Sequence, residues 1–216
     1  MDNDVPSHHM VSILVDDLDT KYGVDAHLSV YNLTVAEDQF SGHRLHIENG
    51  PSDHVSAIFA GWAVYPSLNG DGLTRFITYW TGDGFRNGCF NILCPGFVQI
   101  HRTLTPNSPI TPTSTYGGQQ YEIRVHVEQD PGTGNWWLVV NGDIAVGYWP
   151  KELFVNLGDG GKRVSWGGEG FSGKTKNLPS VGKRAHAGRQ VRPRHVFPPD
   201  LLRDGVQQKP NSSGRV

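Results

Sequence analysis

The residue best suited to chemistry is Glu169, which ends the sequence Trp166-Gly-Gly-Glu169. Two glycines let the backbone pass close to a neighbouring strand or to a substrate, because they carry no side chain. The tryptophan supplies an apolar wall, and a carboxyl group that loses water against such a wall keeps a proton more readily and can donate it. The pattern indicates a proton-transfer carboxyl, although a surface glutamate at a strand end would look the same in sequence.

Aromatic side chains are the second group that could form a site. A cleft for proline or sugar rings could be lined by Trp62, Tyr79, Trp80, Trp137, Tyr148 and Trp166. The alternative is that half or more of the aromatic residues belong to the core, because neighbours in a strand point to opposite faces. In the pair Trp136 and Trp137, alternation places one ring inside and the other outside, and the sequence does not say which.

Other kinds of catalytic centre lack support in the sequence. Cys89 and Cys94 are spaced Cys-x4-Cys without a second cysteine pair, and the nearest histidine is His101, so we expect no metal site. His8 and His9 are adjacent on a polar segment and do not have metal-ligand spacing. No nucleophile elbow is present for serine catalysis, and no cofactor is expected.

The elements that must position these residues are predicted to be β-strands. The chain has 27 Gly and 14 Pro but only 19% charged residues, which is typical of a turn-rich β protein. Strand patterns cover residues 55–65, 74–81, 91–100 and 121–128, whereas only residues 150–157 look helical. We therefore predict an all-β fold, an antiparallel β-sandwich with one short helix and an irregular C-terminal tail.

The charge divides the chain unevenly. Residues 1–161 hold 7 Lys and Arg against 18 Asp and Glu, whereas residues 162–216 hold 12 against 3. We predict a lead-in segment at 1–20, a β domain at 21–172 and a basic, disordered tail at 173–216. The tail lacks the interleaved aromatics of a nucleic-acid surface. No run of about 18 apolar residues could span a membrane. No signal peptide is visible, and we expect a monomer.

Three stretches together resemble the neprosin (DUF239) family of plant glutamic peptidases. They are Ala60-Gly-Trp-Ala-Val-Tyr-Pro-Ser-Leu-Asn-Gly-Asp71 with the strand after it, Gly88-Cys-Phe-Asn-Ile-Leu-Cys-Pro-Gly-Phe-Val-Gln99, and the set Gly134-Asn-Trp-Trp137, Gly147-Tyr-Trp-Pro150 and Trp166-Gly-Gly-Glu169. Their order and spacing match over residues 21–172. Each piece alone is weak, but the set is specific.

The resemblance implies a fold, a location and an activity. It implies a β-sandwich, a secreted or vacuolar protein, and endopeptidase activity after proline at acidic pH. A peptide or protein would then be the substrate. A cell-wall glycan is the alternative ligand if the domain binds without catalysis.

The resemblance also assigns the two catalytic carboxyls of the family, one of which is missing here. The second glutamate corresponds to Glu169, and the first is expected on the strand at residues 55–65, near Ala63, where this sequence has no Asp or Glu. Glu48 could substitute if a neighbouring strand presents it. The sequence thus predicts either an impaired or inactive glutamic peptidase or a non-catalytic binding module.

In a secreted protein of this family, Cys89 and Cys94 are predicted to form a disulfide rather than remain buried free thiols. Asn32 and Asn211 begin Asn-x-Ser/Thr sequons and would be N-glycosylation sites on the same route.

Overall fold

A computed structural model describes residues 7–175, 179–180 and 194–195, and it contains two β-sheets that form a sandwich. The strands are β1 (His8–Lys21), β2 (Gly23–Ser29), β3 (Phe40–Asn49), β4 (Ser56–Val64), β5 (Thr74–Thr81), β6 (Gly88–Phe90), β7 (Val98–Gln99), β8 (Tyr121–Gln129), β9 (Trp136–Val140), β10 (Ile144–Trp149), β11 (Gly161–Phe171) and β12 (Arg194–His195). The predicted all-β sandwich is confirmed.

The two sheets are built almost entirely from antiparallel pairs. The first sheet has the order β1-β11-β3-β4-β5-β6, and the second has β12-β8-β9-β10-β7 with β2 also paired to β8. Among the strand pairs that the structure describes, the short pair β12 and β8 is the parallel one. In the first sheet β11, from late in the chain, lies between β1 and β3 and pairs with both of these early strands.

The core lies between the sheets and follows from alternation along the strands. In β8 the side chains of Ile123, Val125 and Val127 are fully buried while the residues between them face outward. Trp62, Trp136 and other large apolar side chains fill the same layer without solvent exposure. Burial of this kind is the main stabilising contribution to such a sandwich.

The N-terminal lead-in predicted at residues 1–20 is instead a strand over its described part. β1 runs from His8 to Lys21 at the edge of the first sheet and pairs with β11 along most of its length. Its apolar residues do not alternate with polar ones, because both faces of the strand are largely exposed. The pattern that identifies a half-buried strand is therefore absent from this sequence.

The predicted helix at 150–157 is only a 3-10 turn, at Lys151–Leu153. In the part of the chain that the structure describes, the α-helix is α1, Pro66–Asn69. Proline begins this helix at its first turn, where the missing N–H costs nothing, and Gly70 ends it in a left-handed conformation. Pro66 marks the end of the preceding strand and the start of the helix together.

Residues 91–100 form turns rather than the predicted strand, with only Val98–Gln99 paired as β7. Most of the tail predicted at 173–216 lies outside the described residues. Pro179 and Ser180 contact the sandwich, since the Ser41 hydroxyl donates to the Ser180 carbonyl at 2.8 Å. Among the described residues, no helix has the length and apolar character needed to cross a membrane.

Candidate active site

Glu169 and Ala63 lie in one cross-strand row on the outer face of the first sheet. Glu169 in β11 is opposite Gly42 in β3, and Gly42 is opposite Ala63 in β4. Strands in a sheet are about 4.8 Å apart, so the two Cα atoms are separated by about 10 Å. The row brings together the two positions at which the family resemblance expects carboxyl groups, and one of them carries only a methyl group.

A cavity of about 400 Å³ opens on this row. Its wall is mainly aromatic, and the lining includes Phe40, Phe59, Tyr65, Tyr79, Phe85, Phe90 and Phe171 as well as Ala63, Arg44 and Glu169. Among the described residues that line the cavity, Glu169 is the one carboxyl. The size and the apolar wall are those of a site for a peptide side chain or another small apolar group.

Glu169 is held by two basic side chains. Its side chain is 5% exposed and forms an ion pair with the Arg44 guanidinium in β3. His8 in β1 places its Nε2 3.2 Å from Glu169 Oε2, and the His8 ring packs against Phe40. The carboxyl is therefore oriented by groups from two different strands.

The Arg44 guanidinium lies flat over an aromatic ring. Its central carbon is 4.4 Å from the centroid of Phe59, a cation–π distance. Burial lowers the pKa of Arg44, and the negative charge of Glu169 opposes this shift. Arginine starts from a pKa so high that the side chain stays cationic, so Arg44 is a permanent positive charge in the cavity.

Glycines make room for this arrangement. Arg44 is opposite Gly167 on one side and Gly61 on the other, so neither adjacent strand places a side chain directly beside it. A Cβ added to Gly42 would lie 2.2 Å from the Trp62 carbonyl oxygen. The row of Glu169 therefore requires glycine at its centre, and the floor between Glu169 and Ala63 is bare backbone.

Glu48 does not lie beside Glu169. It is opposite Arg163 rather than Glu169, six residues along β3 from Gly42, which corresponds to about 20 Å. Its carboxylate bonds Arg163 Nε at 2.5 Å and pairs with His46 at 2.8 Å. Burial acts to raise the pKa of Glu48, but His46 and Arg163 outweigh it and lower the pKa. The structure thus does not bring this predicted substitute to the cavity.

Of the six aromatic residues predicted to line a cleft, only Tyr79 lines the cavity. Trp62 and Trp80 are buried in the core, where the Trp62 indole N–H donates to the Ser29 carbonyl, and Trp166 packs against the same core. Trp137 and Tyr148 contact each other on the second sheet, with ring centroids 5.0 Å apart. On β4 and β5 the odd-numbered neighbours of Trp62 and Trp80 face outward instead.

The predicted disulfide is present between Cys89 and Cys94, with Cα atoms 6.1 Å apart. It closes the turn after β6 next to Phe90, where the backbone of Asn91 has positive φ and is held by hydrogen bonds to Thr78. The disulfide therefore secures one rim of the cavity.

Asn32 is exposed, as a glycosylation site must be, while Asn211 lies outside the described residues.

Sequence reasoning missed the basic residues of the site. Arg44 and His8 are more than 120 residues from Glu169 in sequence, and strand register alone brings them together. A signal did exist, since Gly42-x-Arg44, Gly61-x-Ala63 and Gly167-x-Glu169 repeat a glycine two positions before the residue that faces the cavity. Within the part of the chain that the structure describes, no group of three or more potential ligands is placed to hold a metal ion.

The arrangement supports binding better than two-group acid–base chemistry. One carboxyl can accept or donate a proton, but Arg44 balances its negative charge and no second carboxyl of the lining faces it.

A comparison with models of protein families matches residues 37–193 to the neprosin family. The match begins later and extends further than the residues 21–172 over which the motifs were recognised.

Proposed function

The chain belongs to the neprosin family, whose model matches more than half of it, and we propose that its cavity binds apolar, proline-containing peptide segments without hydrolysing them efficiently. Family membership supports a peptide ligand. The aromatic lining supports an apolar one, because the flat faces of phenylalanine and tyrosine rings pack well against a prolyl ring.

One observation supports the proposal that hydrolysis is inefficient. Ala63 stands across Gly42 from Glu169, at the place where the first carboxyl of the family pair is expected. Peptide hydrolysis by two carboxyls needs one group to take a proton from the attacking water and another to donate a proton to the opposite side. A methyl group can do neither, and Glu169 alone cannot do both within one turnover.

Peptide binding is tested with a matched pair of tyrosine variants. Tyr79 lines the cavity, whereas Tyr148 is equally half-buried on the second sheet. In calorimetric titrations with a proline-containing peptide, Tyr79→Ala should weaken binding by roughly tenfold, as the loss of an aromatic anchor commonly does, and Tyr148→Ala should leave it unchanged. Equal effects of the two substitutions, or no binding to the unchanged chain, would refute the proposal.

We also propose that the protein follows a secretory route. The Cys89–Cys94 disulfide supports this, because disulfides persist mainly in oxidising compartments. The exposed Asn32 sequon fits the same route. A fall in mass after glycosidase treatment of the protein from its natural source, made smaller by Asn32→Gln, is the expected result, and an unmodified Asn32 would count against it.

A further inference from the structure

We propose that two copies of this chain pair through the edge strand β1 and join their first sheets into one continuous sheet. This inference is independent of the proposed function, and it replaces the monomer expected from the sequence. It follows from the direction of the backbone groups of β1, from the symmetry of the stretch that is open to a partner, and from the order of apolar and acidic residues along that stretch.

The outer side of β1 has no strand partner among the residues that the structure describes. β1 lies at the end of the first sheet and pairs on its inner side with β11. The Val11 carbonyl points to β11, because a Cβ added to Gly167 would lie 2.2 Å from its oxygen. The Ser7 carbonyl faces the same way, since it accepts a hydrogen bond from the Ser172 N–H at 3.0 Å. Backbone groups alternate in direction along a strand, so the even-numbered members of residues 8–16 present their N–H and C=O groups to the outside.

The open stretch ends where β1 protects its own backbone. The register with β11 is regular over residues 8–16 and shifts before Lys21. Beyond the shift the Lys21 ammonium donates to the Asp17 carboxylate and to the Asp19 carbonyl. Lysines and bulges are devices that keep an edge strand from pairing with another chain. Residues 8–16 contain neither, and Ser12 is at their centre.

An antiparallel pair of two such stretches is symmetric about Ser12. A two-fold axis perpendicular to the sheet keeps each face of the strand on the same side, so even-numbered residues must lie opposite even-numbered ones. With Ser12 opposite its own copy, all of residues 8–16 are paired, and the outward N–H and C=O groups of the two strands meet. Any other register that obeys this rule leaves part of the stretch unpaired.

The apolar side chains favour the same register. Met10 then lies opposite Leu14 of the second copy on one face. Val11 lies opposite Ile13 of the second copy on the other face. These four side chains are 50–75% exposed in the single chain, so pairing removes apolar surface from water. A register centred on Ile13 would instead put Asp16 opposite Met10.

The acidic residues favour an antiparallel partner. Asp16 and Asp17 lie at the C-terminal end of the stretch, whereas His8 and His9 lie at the other end. In the register centred on Ser12, Asp16 is opposite His8, and the aspartates of the two copies lie at opposite ends of the pair. Parallel pairing would place the aspartates side by side, which like-charge repulsion disfavours.

Analytical ultracentrifugation of the unchanged chain tests the pairing. Because an edge-to-edge contact is small, we expect a dissociation constant of about 10 µM, with dimers at about 100 µM and monomers at about 1 µM. Ser12→Lys puts two ammonium groups opposite each other and should weaken the dimer by about tenfold or more. Leu18→Lys changes an exposed residue outside the open stretch and should have no effect. A chain that stays monomeric at about 100 µM, or equal effects of the two substitutions, would overturn the inference.

Single cysteines measure the register, because Cys89 and Cys94 are already bridged to each other. The two Ser12 Cα atoms should be about 5.5 Å apart, a distance that a disulfide spans. Oxidation of Ser12→Cys should therefore give a covalent dimer. Leu14→Cys alone should not, since about 14 Å separates its two copies, but a mixture with Met10→Cys should crosslink. Faster crosslinking of Leu14→Cys alone than of Ser12→Cys would contradict the register.

Amide hydrogen exchange distinguishes a second copy from any other occupant of the edge. The outward amides of Met10, Ser12 and Leu14 should be protected at high protein concentration and should exchange freely on dilution. Protection that does not change on dilution would mean that another part of the same chain covers the edge. Free exchange at every concentration would mean that the edge stays open. Either result overturns the inference.

Discussion

At the scale of single residues, the ion pair of Arg44 and Glu169 is the feature most sensitive to change. Glu169 is 5% exposed and Arg44 is 20% exposed, so removal of Arg44 leaves a nearly buried carboxylate that has lost its permanent positive partner and keeps only the contact with His8. We expect Arg44→Met to lower the free energy of unfolding by about 2–4 kcal/mol. Arg163→Met, which breaks a pair that is 35% exposed on the arginine side, should cost about 1 kcal/mol or less.

Urea unfolding measures the free energy of unfolding of both variants. A double substitution separates the effect of the lost charge from the effect of the lost packing. Arg44→Met combined with Glu169→Gln should recover much of the loss, because the carboxylate that lacked a partner is then neutral. If the two single effects simply add, the pair is not coupled and the electrostatic interpretation of this site is wrong.

Glu48 makes the stability of the protein depend on pH. Its pKa is lowered in the folded protein, so it contributes stability at neutral pH that disappears as the pH falls through the folded-state pKa. We expect Glu48→Gln to cost about 1 kcal/mol near pH 7 and progressively less as the pH falls below the ordinary glutamate pKa of 4.5. Urea unfolding of both proteins across this range measures the difference, and a constant difference would contradict the assignment.

At this scale the sequence indicated candidate residues but not the side chains that contact them. Trp166-Gly-Gly-Glu169 carries its own local signal, and the absence of a carboxyl at residues 55–65 is visible directly. Arg44 could not be predicted in the same way, because an arginine in a strand usually lies in solvent. Only the register of β3 against β11 shows that it faces Glu169.

At the scale of the elements, the close approach of β3 and β4 decides the shape of the site. Any Cβ at position 42 meets the Trp62 carbonyl oxygen at 2.2 Å and the Ala63 backbone at 2.8 Å, so the strands must separate to admit it. We expect Gly42→Ala to destabilise the protein by about 2 kcal/mol or more. Thermal unfolding measures this loss.

Gly72 is the control for that substitution. A Cβ at position 72 has nothing within 4 Å, so Gly72→Ala should change the stability by about 0.5 kcal/mol or less. Equal effects of the two substitutions would show that β3 and β4 can separate freely. The close approach of these strands would then not require glycine at position 42.

Strands in which buried and outward residues alternate were predicted well. The edge strand β1 and the turns around the disulfide were not. The prediction at 74–81 coincides with β5, and the prediction at 121–128 falls within β8, where buried and outward residues alternate. β1 was missed because neither of its faces is well buried. Residues 91–100 were misassigned because the disulfide and the left-handed Asn91 hold them as turns.

At the scale of the whole molecule, the two sheets divide the aromatic residues into separate groups. Five of the six tryptophans belong to the core between the sheets or pack against it, whereas the cavity on the outer face of the first sheet is lined by Phe40, Phe59, Tyr65, Tyr79, Phe85, Phe90 and Phe171. Sequence composition could not reveal this division, because it depends on which face each strand presents to its neighbours. The tryptophan motifs that identify the family are therefore mainly core residues, and the cavity is lined by a different set.

The rate of peptide hydrolysis tests the central claim most directly. With one carboxyl absent, the unchanged chain should cleave a proline-rich peptide at about pH 3–5 more slowly than an intact pair by about 10²–10⁴-fold, or about 3–5 kcal/mol of barrier. Ala63→Glu should raise the initial rate, Ala63→Gln should not, and Glu169→Gln should abolish the gain. Rapid cleavage by the unchanged chain that Ala63→Glu fails to increase would contradict the account.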